Sequence, residues 1–206
     1  MTTPDTLPVR LYLLGYDPRR ETIHGGAYHS TVIRAAAIED LRLRGSIVDD
    51  GGQVHLGSGP RPGDSILLAV LTEISASTKP RTWRHWISAS TRTTFRAVRD
   101  QLDDLRVVRV EPFRVLGIFP ANRVRPRDIA AIQHVSAEFE HALTGSGQPA
   151  PREAAMVTLA AAGELGTVLP WRRRREMRAR IAALSEGPVP RALRQVVRAA
   201  KSAASG

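Results

Sequence analysis

Cysteine is absent from this 206-residue chain, which excludes a disulfide framework, a thiolate metal site and a cysteine nucleophile, and fits the reducing cytosol. Lysine is nearly absent too: it stands only at Lys79 and Lys201, and the rest of the 30 basic residues are arginine, whose planar fork suits phosphate oxygens. No apolar run approaches the roughly 20 residues that span a bilayer, so any membrane contact is expected to be peripheral. Residues 1–8 include Asp5 and lack a basic start before an apolar run, so no signal peptide is expected. A nucleophile elbow, a phosphate-cradling glycine loop with its lysine, and a histidine pair bracketing a glutamate are all missing. His24 and His29 lie on different faces if both are helical, so neither a metal site nor a cofactor is expected. Asp49-Asp50 and Asp103-Asp104 are sequence neighbours, which rarely converge on one reacting bond. The expectation is a protein that is not an enzyme.

What is present describes a folding chain. Its hydrophobic share of 42% is ordinary, and 16 Gly and 14 Pro are spread between segments, so one domain over residues 1–206 is expected, with 202–206 as a frayed tail. Residues 9–16 read as a short strand or a helix stub. Tyr28, Val32, Ala35, Ile38 and Leu41 recur at helical spacing and Gly45 follows as a stop, which predicts a helix over 27–43. Residues 48–56 read as a loop or small hairpin. Asp64 sits where the free N–H groups of a helix need an acceptor, ahead of Ile66, Leu67, Val70 and Ile74. Trp83, Trp86 and Ile87 suggest a short helix, and Phe95, Val98, Leu102 and Leu105 a helix over 91–106 with Arg92, Arg96, Arg99 and Asp103 on its other side. Residues 107–119 read as a hairpin turning at Glu111-Pro112-Phe113-Arg114. Pro126 is assigned to the first turn of a helix carrying Ile129 to Leu143, residues 144–151 to a linker, and 154–165 to a small-residue helix. Two basic helices close the chain. The fold class is therefore mainly α, a single-domain helical bundle with amphipathic helices around a central core and one β-hairpin.

The net charge of +10 is unevenly spread. From Trp171 onward there are ten basic residues against Glu176 and Glu186, so the earlier part is nearly balanced. Such a block suits an anionic membrane surface or a nucleic acid, or forms a solvated helical face. Arg96 and Arg99, three apart, can converge on one polyanionic group, and a hairpin carrying Phe113 follows at once; phosphate contact and shallow apolar insertion reinforce each other at a membrane surface. Spacing alone equally describes a solvated stripe.

The order of Leu13-Leu14-Gly15, Ile33-Arg34 through Leu43-Arg44-Gly45, Pro62-Gly63-Asp64-Ser65-Ile66-Leu67-Leu68, Phe95-Arg96-Ala97-Val98-Arg99 and Leu116-Gly117-Ile118-Phe119-Pro120 resembles the Golgi phosphoprotein 3 family over most of the chain. The short, arginine-rich form is similar to its bacterial, actinobacterial branch. Eukaryotic members bind phosphatidylinositol 4-phosphate, so the resemblance implies a cytoplasmic, peripherally associated adaptor for an anionic phospholipid surface. It maps the headgroup site onto Arg34, Arg96 and Arg99, and the membrane-contacting hairpin onto Phe113 and Arg114. The tryptophan of that pocket falls at Gly25, which leaves His24, Gly25 and Tyr28 as the wall. The resemblance leaves a homo-oligomer open and names no protein cargo. The competing reading is a nucleic-acid-binding helical protein, since a helix with Arg96 and Arg99 followed by a hairpin also describes a winged helix. The headgroup reading requires three guanidinium groups from two helices to meet in one hollow.

Overall fold

The computed structural model of the chain describes residues 5–115, 118–184 and 187–204, with the backbone alone at 114, 115 and 119–121. Among these residues there are ten helices and seven strands, and the mainly α architecture follows the periodicity. The centre is α2 (His29–Leu43), whose run Ala35-Ala36-Ala37 lets neighbours close in from every side while Val32, Ile33, Ile38 and Leu41 fill the gaps between them. Around it pack α1 (Leu7–Leu13), α3 (Ser65–Ser75), α4 (Trp83–Ser88), α5 (Thr91–Asp104), α7 (Pro151–Ala162) and α10 (Pro188–Ala204). The second inner helix, α7, is equally rich in small residues, from Ala155 to Ala162. At its end Gly163 faces Val32 so closely that a β-carbon there would lie 2.0 Å from Val32 Cγ2. Outside lie α6 (Ile129–Thr144), α8 (Trp171–Glu176) and α9 (Arg178–Leu184).

The strands form three small antiparallel sheets. β1 (Tyr16–Asp17) pairs with β2 (Thr22–Ile23), and β3 (Ile47–Asp50) with β4 (Gln53–Leu56), to which β5 (Arg81–Thr82) is added. The long ribbon joins β6 (Val108–Val115) to β7 (Phe119–Pro126). No helix among the described residues is long and apolar enough to cross a membrane.

Local chemistry explains most boundaries. Asp64 Oδ1 accepts from the N–H groups of Ile66 at 3.0 Å and Leu67 at 2.9 Å, the expected cap, worth about 1 kcal/mol. Residues 7–13, open between strand and helix in the sequence, are helical because Asp40 of α2 accepts from Leu7 N–H at 2.8 Å and all of Leu7, Val9, Leu11, Tyr12 and Leu13 are buried. Three expectations are corrected. Glu111, Pro112, Phe113 and Arg114 are strand residues, not a turn, with Pro112 opposite Asn122; a two-stranded ribbon has a free edge where proline forfeits no ladder bond. Pro126 ends β7, and Asp128 caps α6 instead, accepting from Ala131 N–H at 2.9 Å. The two basic helices expected at the end are three, the first being broken at Met177 between α8 and α9; residues 202–204 belong to α10, and 205 and 206 lie outside the described residues, as do Leu116 and Gly117.

His29, the first residue of α2, is built in by backbone on both sides. Its Nδ1 accepts from Gly25 N–H at 3.2 Å and its Nε2–H donates to Leu11 C=O at 3.1 Å. A β-carbon on Gly15 or Gly25 would lie within 2.3 Å of the ring, so both glycines are required by close approach. Burial among the rings of Tyr12 and Phe95 pushes the imidazole down to about 4. The unfolded chain therefore holds one more proton than the folded one between pH 6.5 and about 4, so stability is full above pH 6.5 and falls as the pH drops through that window, by ~3 kcal/mol in all. Urea titrations across pH 7 to 4 should show this slope. His29→Asn should be less stable at pH 7 and lack the His29 part of the slope; an unchanged slope would contradict it.

Candidate functional site

The residues assigned to a headgroup site divide into inward-facing and outward-facing groups. Arg34 belongs to the first. It projects from the middle of α2 with a side chain only 1% exposed. Its Nε donates to Trp86 C=O of α4 at 3.0 Å, Nη1 donates to Thr94 Oγ1 of α5 at 3.2 Å, and Nη2 lies 2.9 Å from Glu73 Oε2 of α3. The Nη2–H is not aimed at an acceptor, so the contact with Glu73 is held by charge more than by a directed hydrogen bond. Burial, the larger effect, lowers the Arg34 pKa below the ordinary arginine value against the opposing charge of Glu73; an arginine beside a carboxylate stays charged.

Arg96 belongs to the second group. Thr94, Val98 and Leu102 form the buried face of α5, and at about 100° per residue Arg96 stands some 200° from Thr94. It points away from Arg34, and like Arg92 it is exposed. Arg99 is half-buried and paired along its own helix, with Nε 2.8 Å and Nη2 2.7 Å from Asp100 Oδ1, on a side where its charge is felt by the buried Tyr12 hydroxyl. The expected single hollow lined by Arg34, Arg96 and Arg99 is therefore not formed: long-range partners, invisible in helical spacing, draw Arg34 inward. The expected wall is elsewhere as well. His24 and Gly25 line a hollow of about 600 Å³ with Arg19, Arg20, Glu164 and Thr167, which includes none of the three arginines. Tyr28 is half-buried at the start of α2.

The outward arginines continue into the hairpin. Asp103 of α5 accepts from Val110 N–H at 3.3 Å, tying the helix to β6. One face of the ribbon, with Val108 and Val124, is buried. The alternation of strand residues places Arg109, Glu111 and Phe113, with Arg123 and Arg125 opposite the first two, on the other face. Glu111 stands 3.5 Å from Arg109 and 3.2 Å from Arg125, while the guanidinium of Arg123 lies 5.2 Å from the centre of the Phe113 ring. Phe113 is 39% exposed, and Ile118, beyond the end of β6, is 73% exposed. The Arg114 side chain lies outside the described residues. This face thus combines three arginines, Glu111, and exposed apolar groups near the end of the ribbon, with Glu21 reaching Arg125 at 3.6 Å from the β1–β2 turn. Sequence reasoning missed Ile118 and the arginines of β7, because the turn was placed one strand too early; the alternation of Arg123, Val124 and Arg125 was the available signal.

A second accumulation of arginine follows Trp171, which is 62% exposed with Arg172 5.5 Å from the centre of its ring. Part of the charge there is internally neutralised: Arg173 forks onto Glu140, and Glu164 holds both Arg174 at 3.4 Å and Lys201 at 2.5 Å.

The family model described as Golgi phosphoprotein 3 (GPP34) matches residues 7–200. No curated protein matches the chain.

The Arg34 contacts predict a stability defect. Arg34→Ala removes the hydrogen bonds to Trp86 and Thr94 and empties the space between α2 and α5, while Glu73 keeps Ser90 and some solvent, and should cost on the order of 2–4 kcal/mol. Arg34→Met, which fills the space, should cost less. Chemical denaturation checks both; a full-length Arg34→Ala protein with unchanged midpoint would show that the buried pair does not hold the helices.

Proposed function

The chain belongs to the Golgi phosphoprotein 3 family, and from that premise we propose that it is a non-catalytic peripheral membrane protein that docks on anionic phospholipid surfaces from the cytoplasmic side. The observation that carries the reading is the outer face of the β6–β7 ribbon, where Phe113 and Ile118 are exposed beside Arg109, Arg123 and Arg125. A shallow apolar insertion and several cations next to it are the two contributions that together hold a protein at a bilayer surface, since either alone gives weak, reversible binding. Arg92 and Arg96 on the outer side of α5 extend the positive surface. Each cation close to an anionic leaflet adds about 1 kcal/mol.

In this reading Arg34 acts from within, fixing α5 against α2 and so setting how the outward arginines are presented. The exposed arginines of α5 and the ribbon carry the contact with phosphate. The absence of a lysine-rich tract gives the interaction to guanidinium forks, which bind phosphate oxygens in pairs. The family assignment lends no support to the nucleic-acid alternative.

Co-sedimentation with phosphatidylcholine vesicles containing phosphatidylglycerol or phosphatidylinositol 4-phosphate tests the proposal. The wild-type chain should bind both anionic mixtures, with binding that weakens as salt rises from about 0.1 to 1 M. Phe113→Asp combined with Ile118→Asp should reduce binding at least tenfold, and Arg96→Ala about fivefold, without loss of helical structure. Equal binding by all variants, or equal binding to neutral vesicles, would overturn it.

A further inference from the structure

The helices after Trp171 enclose a groove that the ribbon and α5 do not touch. It has a volume of about 480 Å³ and lies between α7, α9 and α10. Its floor is apolar and built largely from short side chains, with Ala161, Ala162, Ile181 and Val197. Arg174, Arg178, Arg194 and Arg198 stand around it, with Glu164 as the one acid in its lining. Glu164 is already committed to Arg174 and Lys201. The guanidinium groups of Arg178, Arg194 and Arg198 have no acidic partner among the described residues. Arg194 and Arg198 are four apart on α10 and therefore share a face.

Three cations at one concave apolar site, whose one acid is already shared by Arg174 and Lys201, work against one another. Arg194 registers part of this: burial first, then the charges of Arg198 and of Arg191 outside the groove, lower its pKa below the ordinary arginine value. A folded domain gains nothing from such a cluster by itself. The arrangement becomes favourable when a multivalent anion enters, and guanidinium forks match the spacing of phosphate oxygens better than that of a single carboxylate. The floor adds a second requirement, since alanine, isoleucine and valine offer nothing to a hydrated inorganic ion but accept a short hydrocarbon segment.

We propose that the α7–α9–α10 groove is a binding site for a phosphate group carried by a ligand with an apolar portion, the phosphate held by Arg178, Arg194 and Arg198 and the apolar portion resting on Ala161, Ala162 and Val197. The same chemistry is offered by an anionic phospholipid and by a soluble organic phosphate. The site is distinct from the ribbon and operates without membrane insertion.

Calorimetric titration of the full chain with two soluble probes tests this: dihexanoyl phosphatidic acid below its micellar concentration, and phenyl phosphate, which has a smaller apolar part. Saturable binding of one or both is expected, tighter for the longer apolar portion if the natural source is a lipid and tighter for phenyl phosphate if it is a soluble ester. Arg194→Ala combined with Arg198→Ala should weaken it at least tenfold. Arg194→Lys should retain part of the binding. Phe113→Asp with Ile118→Asp should leave it unchanged, so that failure of the ribbon on vesicles and failure of this groove are read separately. Melting temperature monitors the fold, and the Arg194→Ala, Arg198→Ala protein should melt no lower than wild type because no ion pair is removed. Should neither probe bind the wild-type chain, or should the double alanine variant bind as wild type does, the proposal is overturned.

Discussion

The guanidinium of Arg34 holds three neighbouring helices to the central one. Its Nε, Nη1 and Nη2 reach α4, α5 and α3 respectively, and no apolar side chain could replace those three directions at once. A charge at this depth is costly unless its hydrogen-bonding capacity is met. The surrounding structure gives it a carbonyl and a hydroxyl as acceptors and sets a carboxylate beside Nη2 as a charge partner. The consequence is a fixed orientation for α5, because Thr94 is bound to Arg34 on one side of that helix while Arg92 and Arg96 occupy the other. The surface that faces an anionic partner is thus positioned by a cation that does not itself face solvent.

The same helix carries other buried polar groups, each satisfied by a neighbour. Asp40 receives the Leu7 N–H together with Arg44 and Arg152, Glu39 receives Arg42, and His29 is bonded at both ring nitrogens. Such contacts specify register more than they add net stability: an apolar α2 could slide against α7, whereas one with directed partners has a single seat. Arginine is used here in two opposite ways. Inside, its five donors tie helices together. Outside, on the ribbon and around the groove of α9 and α10, an excess over the available carboxylates leaves the surface ready for an anion. Salt screens the second use and hardly touches the first.

Helical spacing was enough to find α2, α3, α5, α6, α7 and α10, because burial of one face imposes a local period that the residues must obey, but it did not show the break at Met177 that separates α8 from α9. The cap at Asp64 was legible for the same reason, being a contact with residues two and three positions on. The ribbon was half legible. Its strands were recognised from β-branched residues, but the turn was assigned to Glu111-Pro112-Phe113-Arg114 because proline usually marks turns; a free edge tolerates it, and the ribbon runs on to Val115. The strand β5 had no signal, since two residues pairing with Gln53 and Val54 carry no alternation of their own. Among the site residues, Phe113 and Arg96 could be read as outward, while the opposite directions of Arg34 and Arg96 could not.

By itself the sequence determined the mainly helical architecture, the single apolar core, the concentration of positive charge toward the end and the absence of a membrane-spanning segment among the described helices. These depend on composition and on periods of two or about four residues, which are local quantities. Tertiary structure alone decided which arginines lie inside and which remain for a ligand. Arg34 meets Trp86 and Thr94 across 52 and 60 positions of chain, and the groove of Arg178, Arg194 and Arg198 exists only where three helices come together. These partners are chosen by distance in space, and no spacing along the chain encodes them.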